Sequence, residues 1–421
     1  MMRLICGFVF LLFSIGCFMA SSPSTYGDEP KQAGSAHAPV KVTDEARAIH
    51  KAAIVIDGHN DLPWQFRTKK DLGFQKVDIT RVQPKLHTDI PRLRAGGVGA
   101  QFWAAYVPAT TAHDHSAVKM TLEQIDVIHR MVQAHPNEFE FARTVDDIER
   151  IHKGGKIASL IGVEGGHSID NSLGVLRTYY MLGVRYMTLT HSETLDWADS
   201  ATDEAQHHGL TEFGEQVVRE MNRLGMLVDI SHVSADTMRH ALRVTRSPLI
   251  ASHSSAFALA NHPRNVPDDV LKLVAKNGGV VMVNFYPGFI VPEGARATRE
   301  MFQAARALKE KYPKEEEFQL ALQAWEKEHP IANVGDVYTV VDHIEHIIKT
   351  AGIDHVGLGS DYDGINAVPR QLEDVSCYPK ITQVLLDRGY NREQIIKILG
   401  GNLLRVFRQV EAEAAREQKG G

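Results

Sequence analysis

Eight short apolar runs, rich in β-branched residues, recur along the chain at Ala53–Asp57, Val98–Val107, Ile157–Val163, Val184–Thr190, Met226–Ile230, Leu249–Ser252, Gly279–Phe285 and His355–Ser360. They are continuous rather than alternating, as in strands buried on both faces of a parallel sheet. Between most of them lie segments with apolar residues three and four apart, such as Thr121–His135 and Leu210–Leu224. Such alternation implies βαβ units, and eight of them predict an α/β fold, a (β/α)8 TIM-type barrel. A doubly wound sheet with an added domain is the alternative, but no Gly-x-Gly-x-x-Gly follows the first run, which disfavours dinucleotide binding. The 421 residues then make a single domain rather than two or three. The stretch 291–330, densely charged and helical in pattern, falls between strands 7 and 8. It predicts a helical insert on the loop side of the barrel, mostly solvated, with a lid over the site as the sharper reading.

The ends of the chain read differently. Arg3 followed by the apolar Leu4–Phe13 and small residues around Ala20 predicts a signal peptide over 1–20, too short in its apolar run for a comfortable membrane anchor. Ser14-Ile15-Gly16-Cys17 loosely resembles a lipoprotein cleavage box but lacks the preferred Leu three residues before the cysteine, so Cys17 is a candidate for lipidation. Residues 21–45, rich in Ser, Pro, Gly and Lys, read as a flexible leader. The folded barrel is expected over 46–410, with a charged helical tail at 411–421 and no hydrophobic tail to direct an anchor. The expected location is export to a bacterial periplasm or the outside, soluble or as a membrane-anchored lipoprotein.

A net charge of −6 gives no general attraction to nucleic acid or anionic membrane. Beyond Cys6 and Cys17 the only cysteine is Cys377, so neither a disulfide nor a thiolate zinc site is available to the folded part. Any metal must be held by carboxylates and by some of the 21 histidines.

Those groups gather at strand ends, where barrel enzymes keep their chemistry. The first run ends Asp57-Gly58-His59-Asn60-Asp61, the third Glu164-Gly165-Gly166-His167, the fourth His191-Ser192-Glu193, the fifth Ser231-His232. The sixth contains Ser252-His253-Ser254-Ser255 and the eighth ends Ser360-Asp361-Tyr362-Asp363. Residues two apart in an extended segment point the same way, so His59 and Asp61 can grip one ion. His232 and His253, on adjacent strands, can grip a second, and Glu164 is the natural carboxylate between them. Imidazole and carboxylate without thiolate suit Zn2+, with Mn2+ or Co2+ able to substitute. Two such ions share a water, lower its pKa and polarise the bond it attacks, which implies hydrolysis. The remaining clusters read as structural: His113-Asp114-His115 in a loop, His207-His208 on the surface, and His343 with His346 on one helical face.

These residues resemble a known family. Asp-Gly-His-Asn-Asp-Leu-Pro at 57–63, Gly-Val-Glu-Gly-Gly-His at 162–167, Leu-Thr-His at 189–191 and Ser-His-Val-Ser at 231–234 are similar to the membrane (renal-type) dipeptidases. So are Ser-His-Ser-Ser at 252–255, Arg-Asn-Val-Pro-Asp-Asp at 264–269, Asp-Tyr-Asp-Gly at 361–364 and Asn-Leu-Leu-Arg-Val-Phe at 402–407. The match runs from about residue 46 to 410. It implies a dizinc peptidase among the metal-dependent amidohydrolase barrels, with His59 and Asp61 on one zinc, His232 and His253 on the other, and Glu164 bridging. It further implies that His191 stabilises the oxyanion, that Arg264 binds the substrate carboxylate, and that Asp361 moves the proton from water to leaving amine; the part played by Asp363 stays open. The implied partner is a dipeptide of broad side-chain type, L,D-dipeptides included, and a homodimer is admitted. Two departures stand out: Glu193 occupies a position where animal members have Cys, and the insert is longer than in the animal form.

Two other classes compete with this reading. Another metal-dependent amidohydrolase, such as a lactonase, deaminase or cyclic-amide hydrolase, would often bridge its metals with a modified Lys, and no Lys stands at a strand end. A silent binding protein on the same barrel would have lost a ligand, and every expected ligand is present.

Overall fold

A computed structural model describes residues 37–312, 314–331 and 333–420. The expected signal peptide, Cys17 and most of the leader therefore lie outside the described residues. The compact unit begins at Pro39, and the first helix, Asp44–Ala52, is capped by the Thr43 hydroxyl, which accepts from the backbone N–H of Ala46.

Nine strands follow among the described residues: β1 (Val55–Asn60), β2 (Val98–Tyr106), β3 (Phe139–Phe141), β4 (Ile157–Glu164), β5 (Val184–Thr188), β6 (Leu227–Asp229), β7 (Ile250–Ala251), β8 (Val280–Val283) and β9 (Val356–Leu358). All pairings are parallel. β1 pairs with β2, β2 with β4, and each strand from β4 onward with the next. Asp57 of β1 pairs with Leu358 of β9, which closes an eight-stranded barrel. The expected fold is borne out, and all eight apolar runs become barrel strands. β3 is additional: it lies against the first half of β4 (Phe139↔Ile157) and outside the closed ring.

Side chains on the barrel strands divide by the period of two. Ala100, Phe102, Ala158, Leu160, Tyr186, Leu227, Ile250 and Met282 form an interior cluster that continues into Leu403, Val406 and Phe407 of the last helix, Asn402–Gly420. Their neighbours, among them Trp103, Ala105, Ile161 and Val163, pack outward under the helical layer. The expected Leu210–Leu224 helix is Glu212–Leu224, started by Thr211 and stopped at Gly225, whose φ of 84° a side chain would resist. No helix among the described residues is long and apolar enough to cross a membrane.

The insert consists of helices Pro292–Lys311 and Glu315–Glu328, between β8 and β9 as expected. It is not simply a solvated appendage. Thr298 is buried, the Arg306 guanidinium donates to the Thr202 carbonyl, and Lys309 meets Glu193 at 3.2 Å. Glu193 in turn meets His113 at 2.8 Å, so Glu193 ties the insert to the loop after β2.

Candidate metal centre

Strand geometry explains why the site forms at the barrel mouth. His59 lies within β1 and Glu164 is the last residue of β4, while His191, His232, His253 and Asp361 follow β5, β6, β7 and β9. His232 and Asp361 hold φ of 65° and 66°, the left-handed region that His and Asp enter more readily than bulky residues. Such backbone costs about 1–3 kcal/mol and persists where surrounding contacts over-determine it.

Glu164 is the centre of the cluster. Its Oε2 lies 3.5 Å from His59 Nε2. Its Oε1 lies 3.0 Å from His232 Nε2, 3.5 Å from His253 Nε2 and 3.8 Å from His191 Nε2. Asp61 Oδ2 stands 3.1 Å from His59 Nε2, and the His232 and His253 Nε2 atoms face each other at 2.9 Å. Three overlapping sets of possible ligands result: His59, Glu164 and His253; Glu164, His191 and His232; His59, Asp61 and Asp361.

The donor chemistry fits cations. His59 Nε2 and Asp61 Oδ1 are buried and make no hydrogen bond, a costly state unless a positive charge takes up their lone pairs. Burial drives His232 and His253 well below the ordinary imidazole range, into the neutral form that can ligate a metal. Burial works to raise the Glu164 carboxyl, but His59, His232 and His253 outweigh it and hold it well below the carboxylate range. Burial pushes Asp361 up to about 7, and Asn284, which donates to its Oδ2 at 2.9 Å, works against that rise.

A second layer orients these side chains. His59 Nδ1 is 2.8 Å from the Tyr186 hydroxyl; a Cβ on Gly162 would come within 2.0 Å of that tyrosine ring, so glycine there is a matter of space. His253 Nδ1 is 2.7 Å from Ser252 Oγ, which donates to Asp229 at 2.6 Å. Asp229 also accepts from the backbone N–H groups of Ser231 and Ser252 and from the Thr188 hydroxyl. Asp57 accepts from Ser360 and from the Tyr378 hydroxyl, both at 2.7 Å. Tyr186, Ser252, Asp229, Asn284 and Tyr378 were not legible as a supporting layer. The available signal was weak: an Asp two residues before His59 and another three before His232.

A cavity of about 430 Å³ opens over the cluster, lined by Asp61, Glu164, His191, His232, Asp361 and Asp363, with Met301 and Glu326 contributed by the insert. Arg264 sits lower. It is 1% exposed, donates to Ser254 Oγ and the His253 carbonyl, and lies over the Phe289 ring. Its buried Nε is unpartnered, and burial brings its pKa down to about 10. Asp363 accepts from the backbone N–H of His87, and its Oδ2 has no partner. The other histidines stay outside the cluster. His167 meets the Val107 carbonyl and His207 the Leu195 carbonyl. His343 accepts from the Ala256 N–H and lies 3.0 Å from the Ile290 carbonyl.

A closed parallel barrel with imidazoles and carboxylates converging at the C-terminal strand ends defines a metal-dependent hydrolase. The family pattern described as Membrane dipeptidase (Peptidase family M19) matches residues 43–421. Dipeptidase 3 of Mus musculus is 42% identical over 377 residues, covering 88% of this chain and 67% of that protein. In fold, the chain is similar to the probable dipeptidase PvdM from Pseudomonas aeruginosa, with a TM-score of 0.75, 24% identity, and coverage of 88% of this chain and 98% of that one. It is also similar in fold to a metallo peptidase from Rhodobacter sphaeroides solved with a phosphinate mimic of L-Ala-D-Ala, with a TM-score of 0.70, 24% identity, and coverage of 85% and 99%. The chain belongs to the membrane dipeptidase family and is a metallo-dipeptidase.

Proposed function

We propose that the chain is an exported dizinc dipeptidase of broad specificity that accepts L,D- as well as L,L-dipeptides. One observation carries the reading: the two oxygens of Glu164 are divided, Oε2 toward His59 and Oε1 toward His232 and His253. His59 and Asp61 would hold one Zn2+, His232 and His253 the other, and Glu164 would belong to both. Bound there, the cations supply positive charge that polarises the scissile carbonyl and acidifies water. His191, beside Glu164 and on the cavity wall, donates to the carbonyl oxygen as negative charge gathers on it. Asp361, oriented by Asn284, takes the water's proton and delivers it to the leaving amine. Arg264, a buried guanidinium with Nε unspent, holds the substrate's terminal carboxylate. Export rests on the Arg3 and Leu4–Phe13 pattern, and the same segment offers Cys17 as a lipid attachment point.

The test is metal analysis of purified protein together with hydrolysis of L,L- and L,D-dipeptides and N-acylated controls. Two zinc equivalents and cleavage of the free dipeptides are expected. Glu164→Gln should lose metal and activity together; retention of two metals with normal turnover in that variant would refute the bridging role.

A further inference from the structure

The insert brings a carboxylate to the catalytic cavity that has no work in the scheme above. Helix Glu315–Glu328 places Glu326 on the cavity wall with Asp61, His191 and Asp361, and Glu326 also lines two adjoining chambers of about 240 and 480 Å³. Each of the other acidic side chains of the cavity meets at least one partner, though Asp61 Oδ1 and Asp363 Oδ2 stay unspent. Asp61 and Glu164 face imidazoles, Asp361 accepts from Asn284, and Asp363 accepts from the backbone of His87. Glu326 is half-buried and its carboxylate meets no donor or cation among the described residues. Burial alone raises it above its ordinary value.

Its position is fixed by anchored structure. The helix that carries it packs against Pro292–Lys311, which Arg306 and Lys309 tie to Thr202 and Glu193. An ionised carboxylate only accepts hydrogen bonds, so a half-buried one facing a substrate cavity is matched by a cation. Every free dipeptide carries one. With the carboxylate end assigned to Arg264, the ammonium end is the group still lacking a partner.

We propose that Glu326 binds the substrate's ammonium group, so that the insert, rather than the barrel, recognises the free amino end. This rests on the reading of the cavity as the dipeptide site. The matching ammonium is the α-amine of every dipeptide or the side chain of a lysine residue, and the substrates below separate the two.

The experiment is steady-state kinetics of the metal-loaded wild type, Glu326→Gln and Glu326→Asp on Ala-Ala and Ala-Lys. Propionyl-alanine, which keeps every group of Ala-Ala except the ammonium, serves as competitive inhibitor. Glu326→Gln should raise KM for both dipeptides about tenfold, with kcat within about twofold and an unchanged inhibition constant for propionyl-alanine. Glu326→Asp should recover part of the loss. A rise confined to Ala-Lys overturns recognition of the free amino end and assigns Glu326 to the lysine side chain instead. Unchanged KM values, or KM and the inhibition constant rising together, overturn the proposal. Wild type that holds two metals yet fails to cleave Ala-Ala defeats the reading of the cavity instead.

Discussion

Tyr186→Phe should weaken metal binding without touching a ligand. The tyrosine is fully buried inside the barrel, with its hydroxyl 2.8 Å from His59 Nδ1. For Nε2 to offer a lone pair, Nδ1 must carry the proton and donate it to the phenol oxygen, so Tyr186 sets the tautomer. Phenylalanine keeps the ring, its packing on Phe102 at 5.0 Å and the space over Gly162. The change is therefore one lost acceptor. A buried N–H left without a partner costs about 1–3 kcal/mol, and removing such an outer partner typically lowers metal affinity about 10–100-fold. In the metal-free protein the imidazole can move its proton to Nε2, 3.1 Å from Asp61, so stability should suffer less there. Chelator competition with Zn2+ and urea unfolding of both forms measure the two effects. Affinity should fall about 10–100-fold while metal-free unfolding changes by less than about 1 kcal/mol. Affinity unchanged within about twofold, or an equal stability loss in both forms, would refute the tautomer argument.

Arg264→Gln should raise KM for free dipeptides about ten- to hundredfold and barely alter C-terminally amidated ones; equal harm to both would move carboxylate recognition elsewhere. Asp361→Asn should lower kcat by about 10²–10⁴-fold with both metals retained, and loss of a metal by elemental analysis would make Asp361 a ligand instead. Burial works to raise the Asp199 carboxyl, but the N–H groups of Gln206, His207 and Gly209 outweigh it and hold it below its ordinary 3.8. Its stabilisation is thus present above that value and lost as pH falls through the lower folded one. Asp199→Asn should cost about 1–2 kcal/mol near neutral pH in urea unfolding, and a gap to wild type that fails to narrow in acid would contradict this.

The strand ends were legible because His and carboxylate residues close runs too apolar to be loops. Their division of labour was less so. Alternation alone puts Asp57 on the same face as His59 and Asp61, yet a register irregularity between Asp57 and Asn60 intervenes, and Asp57 accepts from Ser360 and Tyr378. The partners of Asp229 come from neighbouring strands, which no local window of sequence joins. β3 escaped notice because three residues, two of them only half-buried, make no apolar run. The insert's helices were visible in their pattern. A lid over the site was the sharper reading of that pattern, but which of its side chains reach the cavity wall, Met301 and Glu326, was not legible, because a densely charged helix reads as solvated all round.

The pairing of Asp57 with Ser360 and Tyr378 joins residues 303 and 321 positions apart. During synthesis from the amino end, the first strand is made with its buried carboxylate exposed, and it must wait for nearly the whole chain before its partners exist. The candidate site shares that delay, since His59 and Asp361 flank the same seam. A chain cut short before β9 would lack both the latch and the last wall of the cavity.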